Sequence, residues 1–216
     1  MLRTHHLSTL ALCTLLGLAG TGCAFVPVDV HPPDRSTASQ KPFSRGRGRD
    51  VILVGPFADV RTDDRCGTQK NGYGHETANV NCEVVPGRWI ADALAMELER
   101  AGFRVLRGDA AKGPSSVVVQ GTVTKMFLEP VDGVFTRSVE GDFAAKLLVT
   151  SPSGLHAERA FYVKGLDESI ASTEGVFQAA ADDATHQIAR RMAAALIELL
   201  DRYPDLGQPE TTARSS

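Results

Sequence analysis

The segment from Arg137 to Thr150 constrains the fold most, because apolar and polar residues alternate along it. Successive side chains of a β-strand point to opposite faces of a sheet, so one face of this strand should be buried. That face would consist of Val139, Gly141, Phe143, Ala145, Leu147 and Val149. Segments 117–128 and 155–164 also have strand character, and turn residues separate the three segments at 132–133 and 151–154. The pattern predicts an antiparallel meander packed against a core.

A strand, a helix and a further strand are predicted before the meander. The apolar run Val51-Ile52-Leu53-Val54 indicates a buried strand, and residues 103–106 indicate a second one. Between them, a helix should begin at Pro86-Gly87 and end at Gly102. A strand–helix–strand crossover normally leaves its two strands parallel.

A long helix should follow the meander, beginning near 172–174 and ending at Tyr203. Its apolar stripe recurs at helical spacing and consists of Phe177, Ala181, Ala184, Ile188, Met192, Ala195 or Leu196, and Leu199. We therefore predict a single α+β domain at 50–203, with the element order β-α-β-β-β-β-α. Its mixed sheet would have about five strands, with both helices on one face. Residues 204–216 are predicted to be a disordered tail.

The N-terminus has the features of an export signal. Arg3 provides a basic head, residues 7–20 are uncharged and apolar, and small residues lead into Cys23. This arrangement resembles the signal of bacterial lipoproteins, although Gly20 stands where that signal prefers Leu. The resemblance implies that residues 1–22 are removed and that Cys23 is acylated to form a membrane anchor. Ala24, which is not acidic, would direct the protein to the outer membrane, facing the periplasm. An ordinary secretory peptide and an uncleaved anchor are the alternatives.

Residues 23–49 are predicted to be a flexible linker after the lipidated cysteine. The stretch is rich in Pro, Ser and Arg and has no apolar periodicity, so it has no obvious face to bury. A flexible linker of this length would hold the folded domain away from the membrane surface.

Composition and motifs argue against several classes of function. The formal net charge is −3, which does not favour a nucleic-acid binder. The glycines at 67, 72 and 74 lack the Gly-Lys-Ser/Thr exit of a phosphate loop, and no Gly-x-Ser-x-Gly nucleophile motif is present. We therefore expect no cofactor and no enzymatic activity.

Cys66 and Cys82 lie in a polar segment, 56–86, that is predicted to be a long irregular loop. Thiols of an exported protein usually pair, so a disulfide is the favoured interpretation. The alternatives are two free thiols or a zinc site formed by both cysteines and His75, with Asp63, Asp64 or Glu76. The zinc spacings Cys-x-x-Cys and His-x-x-x-His are both missing, so no metal is predicted.

The chain resembles the YajG-like family of bacterial lipoproteins. The matching features are the lipoprotein cysteine, the segment 55–61 after the first strand, the helix end at 97–105, Gly121 in a strand, and the closing Ala-rich helix. The arrangement is also similar to lipoproteins of curli secretion and to those that activate penicillin-binding proteins. The wider resemblance implies a non-enzymatic module that binds or scaffolds other envelope proteins or cell-wall components.

The predicted contact surface is the segment 59–85, because loops on rigid scaffolds commonly carry binding residues. The candidate partner-binding residues are Arg61, Lys70, Tyr73, His75 and Glu76. The alternative function is an accessory lipoprotein that carries lipid or a small apolar ligand. That function would require a cavity between sheet and helix, lined by residues such as Phe143, Leu147 and Phe161.

Overall fold

A computed structural model describes residues 26–33, 46, 48–108, 115–132, 137–167 and 173–208. Within these ranges the chain forms nine strands and two helices. The strands are β1 (Val28–Val30), β2 (Asp50–Leu53), β3 (Ala58–Asp59), β4 (Gly67–Lys70), β5 (Glu76–Cys82), β6 (Arg104–Arg107), β7 (Val117–Asp132), β8 (Arg137–Thr150) and β9 (His156–Asp167). The helices are α1 (Pro86–Arg100) and α2 (Thr173–Arg202). The predicted signal peptide, Cys23 and residues 209–216 lie outside the described residues.

The predicted strand–helix–strand unit is confirmed. β2 and β6 are parallel, with Val51 opposite Val105, and α1 lies in the connection between them, after β3, β4 and β5. Pro86 suits the first turn of α1, where a backbone N–H has no helical partner. After the last turn, Gly102 has a φ of +85° and the N–H of Phe103 donates to the carbonyl of Leu98. Glycine suits this position because it adopts a positive φ without strain.

The predicted meander is also confirmed. β8 pairs antiparallel with β7 on one side and with β9 on the other, so that Phe143 lies opposite both Met126 and Val163. The six β8 residues predicted to form the inner face are all buried: Val139, Gly141, Phe143, Ala145, Leu147 and Val149. The alternation along this strand therefore marks the core side correctly.

β7 organises the rest of the sheet, because its other edge pairs with three segments in turn. β2 pairs with it at 117–119, β3 at 122–123 and β4 at Leu128. β5 then pairs antiparallel with β4, and β1 pairs parallel with β5. The result is the mixed sheet expected from the sequence, with more strands than the predicted five.

The segment predicted to be a long irregular loop contains three of the additional strands. β3, β4 and β5 all lie between residues 56 and 86. β4 consists of Gly-Thr-Gln-Lys, a sequence without apolar alternation, so periodicity does not reveal it. β3 and β4 form because the edge of β7 offers unpaired backbone groups, and β5 in turn pairs with β4. Pairing satisfies the donors and acceptors of both partners.

The prediction of a linker up to residue 49 was wrong in two places. Val28 and Val30 are buried in β1. Arg49 is only 4% exposed, and its Nη1 donates to the carbonyl of Leu200 at the C-terminal end of α2, at 3.0 Å. The guanidinium also lies 5.5 Å from the centroid of the Phe103 ring. Short docking segments of this kind depend on partners far along the chain, so their own sequence does not indicate them.

The predicted tail also begins too early. Leu206 is buried, and Gly207 accepts a hydrogen bond from the N–H of Asp50. The end of α2 is therefore attached to the start of β2.

Both helices pack on the same face of the sheet, as predicted. Trp89 of α1 is fully buried, and its indole N–H donates to Thr185 Oγ1 of α2 at 3.0 Å. The Thr185 hydroxyl in turn donates to the carbonyl of Ala181 at 2.7 Å. The buried polar groups at the helix interface are thus satisfied, and Trp89 joins α1 to α2 within the core.

Phe57 packs against two glycines. A Cβ at Gly121 would lie 2.3 Å from the Phe57 ring, and a Cβ at Gly87 would lie 1.9 Å from the Phe57 carbonyl oxygen. Both positions therefore require glycine. This packing holds the start of α1 and the middle of β7 against the segment that leads into β3.

Side chains of α2 cover part of the outer edge of β9. Arg191 donates to the Tyr162 carbonyl at 2.9 Å and Gln187 donates to the Lys164 carbonyl at 3.1 Å, while Asp183 accepts from the Leu166 N–H at 3.3 Å. Four helical residues rise about 6 Å and two strand residues about 6.6 Å, so the spacings match. This part of the edge is closed to a further strand.

Candidate functional site

The β4–β5 hairpin, residues 67–82, projects from the end of β7 and is fixed at its base. Cys66 and Cys82 form a disulfide with a Cα–Cα distance of 5.6 Å, so the predicted bridge is confirmed. Next to it, the N–H of Cys66 donates to the Val80 carbonyl and the carbonyl of Cys66 accepts from the Leu128 N–H, both at 2.8 Å. The bridge therefore joins the two strands of the hairpin at the end where β4 meets β7.

The tip of this hairpin, residues 71–75, is ordered by the side chain of Asn71. Its Oδ1 accepts hydrogen bonds from the N–H groups of Tyr73 at 3.0 Å and His75 at 3.1 Å. The Asn71 N–H donates to the His75 carbonyl at 3.0 Å. The Tyr73 side chain is 89% exposed on this tip. An exposed aromatic ring on a pre-ordered backbone binds a partner with little further loss of entropy.

Arg61, a predicted partner-binding residue, holds the protein's own backbone instead. Only 7% of its side chain is exposed. Its Nε donates to Asp59 at 2.9 Å, and its Nη1 donates to the carbonyls of Arg65 at 2.9 Å and Met126 at 3.2 Å. Partial burial acts to raise the pKa of Asp59, but the hydrogen bonds and charge of Arg61 outweigh it and the net pKa is lowered. Arg61 thus connects the turn before β4 to β7.

The other predicted residues differ in how far they are exposed. Lys70 forms an ion pair with Glu129, and only 22% of its side chain is exposed. Glu76 is exposed and pairs with Arg65 at 3.1 Å. The hydrogen bonds that Arg65 donates to Asp63 and Glu76 raise the pKa of Arg65. Tyr73 and His75 at the tip, together with Glu76, are therefore the predicted residues that face solvent.

A groove on the open face of the sheet, opposite the helices, was not predicted. Its volume is about 550 Å³. Val54, Pro56, Ala58 and Val60 form an apolar wall, and polar side chains from β7, β8 and β9 line the remainder, namely Gln120, Thr122, Thr124, Lys146 and Glu158. Lys146 and Glu158 pair across its rim at 3.7 Å. We call this feature the open-face groove. No local motif indicates it, because its residues come from four separate segments.

The rest of the open face carries paired charges. Asp142 accepts from Lys125 Nζ at 2.7 Å and from the Tyr162 hydroxyl at 2.5 Å, and Lys164 pairs with Glu140. Partial burial tends to raise the pKa of Asp142, but the bonds from Lys125 and Tyr162 prevail and lower it. Cross-strand pairs of this kind stabilise the sheet.

The space between α2 and the sheet, where a carrier would hold its ligand, is small. The cavity between α2 and the meander is lined by Leu147, Phe161 and Leu196, among others, and has a volume of about 20 Å³. This is space for about one water molecule, whereas ligand pockets measure roughly 300–1,000 Å³.

The described part of the chain gathers no group of three or more His, Cys, Asp and Glu side chains that could hold a metal ion. No helix in this part of the chain is both long and apolar enough to cross a membrane.

No protein-family model and no curated protein matches the sequence. Among solved structures, a Xanthomonas campestris protein of family DUF330 is similar, with a TM-score of 0.52 and 13% identity over 82% of this chain and 99% of that one. This similarity supports the α+β fold alone.

Weaker structural similarity extends to two bacterial lipoproteins. A minor lipoprotein from Acinetobacter baumannii has a TM-score of 0.34 and 14% identity, covering 68% of this chain and 92% of that one. Lipoprotein GNA1162 from Neisseria meningitidis has a TM-score of 0.32 and 14% identity, covering 71% and 99%. Membership of the YajG-like family stays a prediction.

Proposed function

We propose that this protein is a non-enzymatic envelope lipoprotein, anchored by acylated Cys23 in the outer membrane, whose periplasmic domain binds another envelope component. The anchor is supported by the apolar run 7–20 and the small residues that precede Cys23. The disulfide is consistent with an oxidising compartment.

The main support for a binding function is that a space large enough for a partner lies on the surface and not within the core. The open-face groove has a volume of about 550 Å³, whereas the cavity under α2 has about 20 Å³. The groove combines an apolar wall with polar side chains and the Lys146–Glu158 pair, a mixture that suits a peptide segment of another envelope protein. Val60, at its rim, is 57% exposed.

Photocrosslinking in intact cells tests this surface. A photoreactive phenylalanine replaces Val60 in one variant and Ala194, which is exposed on α2 on the other side of the sheet, in a control. We expect the probe at Val60 to capture an envelope protein that the probe at Ala194 does not. Equal capture at both positions, or none at Val60, would contradict the groove as the binding surface. Captured peptidoglycan would identify the cell wall as the partner instead.

The anchor is tested separately. The wild type should incorporate radioactive palmitate, and a Cys23→Ala variant should not. An unlabelled wild type would refute the lipid anchor. Lipid that copurifies with the purified acyl-free domain would favour the carrier function.

A further inference from the structure

The position of β1 shows which end of the domain the lipid anchor reaches. β1 runs parallel to β5, with Val28 opposite Val80 and Val30 opposite Cys82. Followed toward the N-terminus, β1 therefore points to the start of β5 and to the hairpin tip. Gln69 confirms this direction, because its Nε2 donates to the Val26 carbonyl at 2.7 Å.

The chain between Cys23 and Val26 is too short for the lipid anchor to reach the opposite end of the domain. Two residues, Ala24 and Phe25, separate Cys23 from Val26, and the three steps from Cys23 to Val26 span at most about 11 Å when fully extended. Val26 lies level with the middle of the hairpin, since Gln69 pairs with Ala78, and the tip is about 13 Å further along. The opposite end of the domain lies a full β8 strand away, 14 residues or roughly 45 Å. A lipid on Cys23 thus reaches only the hairpin end.

The same end exposes apolar side chains. Val26 is 69% exposed and Tyr73 is 89% exposed. Val131 and Leu166, near the ends of β7 and β9, are 44% and 50% exposed. β7 and β9 both finish at the hairpin end, because β4 meets β7 at Leu128 and β8, which begins there, is antiparallel to both.

The charged side chains that the structure describes next to the hairpin tip form pairs. Lys70 pairs with Glu129, and Arg65 pairs with Glu76. Attraction to anionic lipid is therefore not the expected mode of contact. Tyrosine, with an apolar ring and a polar hydroxyl, favours the boundary between acyl chains and head groups.

We propose that the hairpin tip rests on the bilayer that holds the lipid of Cys23, with Tyr73 in the head-group region. This inference rests on the proposed acylation of Cys23. It orients the domain, because the open-face groove lies along the first half of β7 and would face away from the bilayer, accessible to a partner. The anchor supplies the attachment, and the tip sets the angle at which the domain stands.

Quenching by brominated lipid tests the contact. The full-length acylated protein is reconstituted into phosphatidylethanolamine–phosphatidylglycerol vesicles, with or without bromine on the acyl chains. Tyr73→Trp is compared with Tyr203→Trp, a matched exchange at the opposite end. Trp89 is fully buried and contributes the same background to both variants. We expect brominated lipid to reduce the emission of Tyr73→Trp and to leave that of Tyr203→Trp unchanged.

Three results would overturn the proposal. The first is unchanged emission of Tyr73→Trp in protein that floats with the vesicles. The second is equal quenching of both variants, which would show an unoriented domain. In the third, the acylated protein fails to float at all, which would refute the anchor and this inference with it. The first two results leave the proposed anchor intact, so the failures are distinguishable.

Discussion

Removing the Cys66–Cys82 disulfide should lower the free energy of unfolding by about 3 kcal/mol. The two cysteines are 16 positions apart. Cross-linking a loop of this size removes roughly 10 cal/mol/K of entropy from the unfolded chain, which is about 3 kcal/mol at 25 °C. Cys66 is 1% exposed, so replacing it with alanine also removes packed volume and adds a smaller cost.

Urea unfolding of the wild type and of Cys66→Ala/Cys82→Ala measures this difference. With a slope of about 1–3 kcal/mol/M, the midpoint should fall by about 1–3 M. Each protein is also unfolded with dithiothreitol, added under unfolding conditions because Cys66 is buried. Reductant should lower the midpoint of the wild type and should not move that of the double variant, which serves as its own control.

Two results would refute this reasoning. A double variant within about 0.5 kcal/mol of the wild type would show that the bridge does not restrict the unfolded chain as the loop length implies. A wild type whose midpoint does not respond to reductant would show that the two thiols are not bridged.

Three further perturbations follow from the contacts. Arg61→Ala should cost about 1–3 kcal/mol in urea unfolding, since it leaves part-buried carbonyls without their donor. Lys146→Ala, in an exposed pair, should cost under about 1 kcal/mol, and equal costs would refute the structural role of Arg61. Gly121→Ala should cost about 1–3 kcal/mol through overpacking against the adjacent aromatic ring, while Gly72→Ala, with open space around it, should be close to neutral; a stable Gly121→Ala would show that the ring moves freely. The lowered pKa of Asp142 means that its stabilising effect is complete above the ordinary value of 3.8 and is lost as the pH falls through the lower folded value. Asp142→Asn should therefore reduce the slope of stability against pH below about 4, and an unchanged slope would contradict the assignment.

The sequence predicts those elements in which buried and exposed residues follow a repeating pattern. The alternation along β8 identifies every buried residue between Val139 and Val149, and the helical stripe from Phe177 to Leu196 identifies the core side of α2. Burial of one face imposes the period of the secondary structure on the sequence, so the pattern can be read without coordinates.

The short strands carry no such repeating pattern. β1 and β4 have three and four residues, too few for a period to appear. They are strands because β5 and β7 offer them backbone partners. The candidate residues show the same limit, since sequence places Arg61 and Tyr73 in one polar segment without distinguishing them. Contacts with distant parts of the chain bury the guanidinium of Arg61, whereas Tyr73 stays 89% exposed.

The sequence by itself determined the α+β class, the meander and the two helices on one face, and it favoured the pairing of Cys66 with Cys82. Each of these depends on local periodicity or on residue type. Only the tertiary structure decided that β1 and Arg49 pack on the domain, that the N-terminal end of β1 points to the hairpin tip, and that a groove opens on the other face. These features depend on contacts between residues far apart in the chain, which no local pattern records.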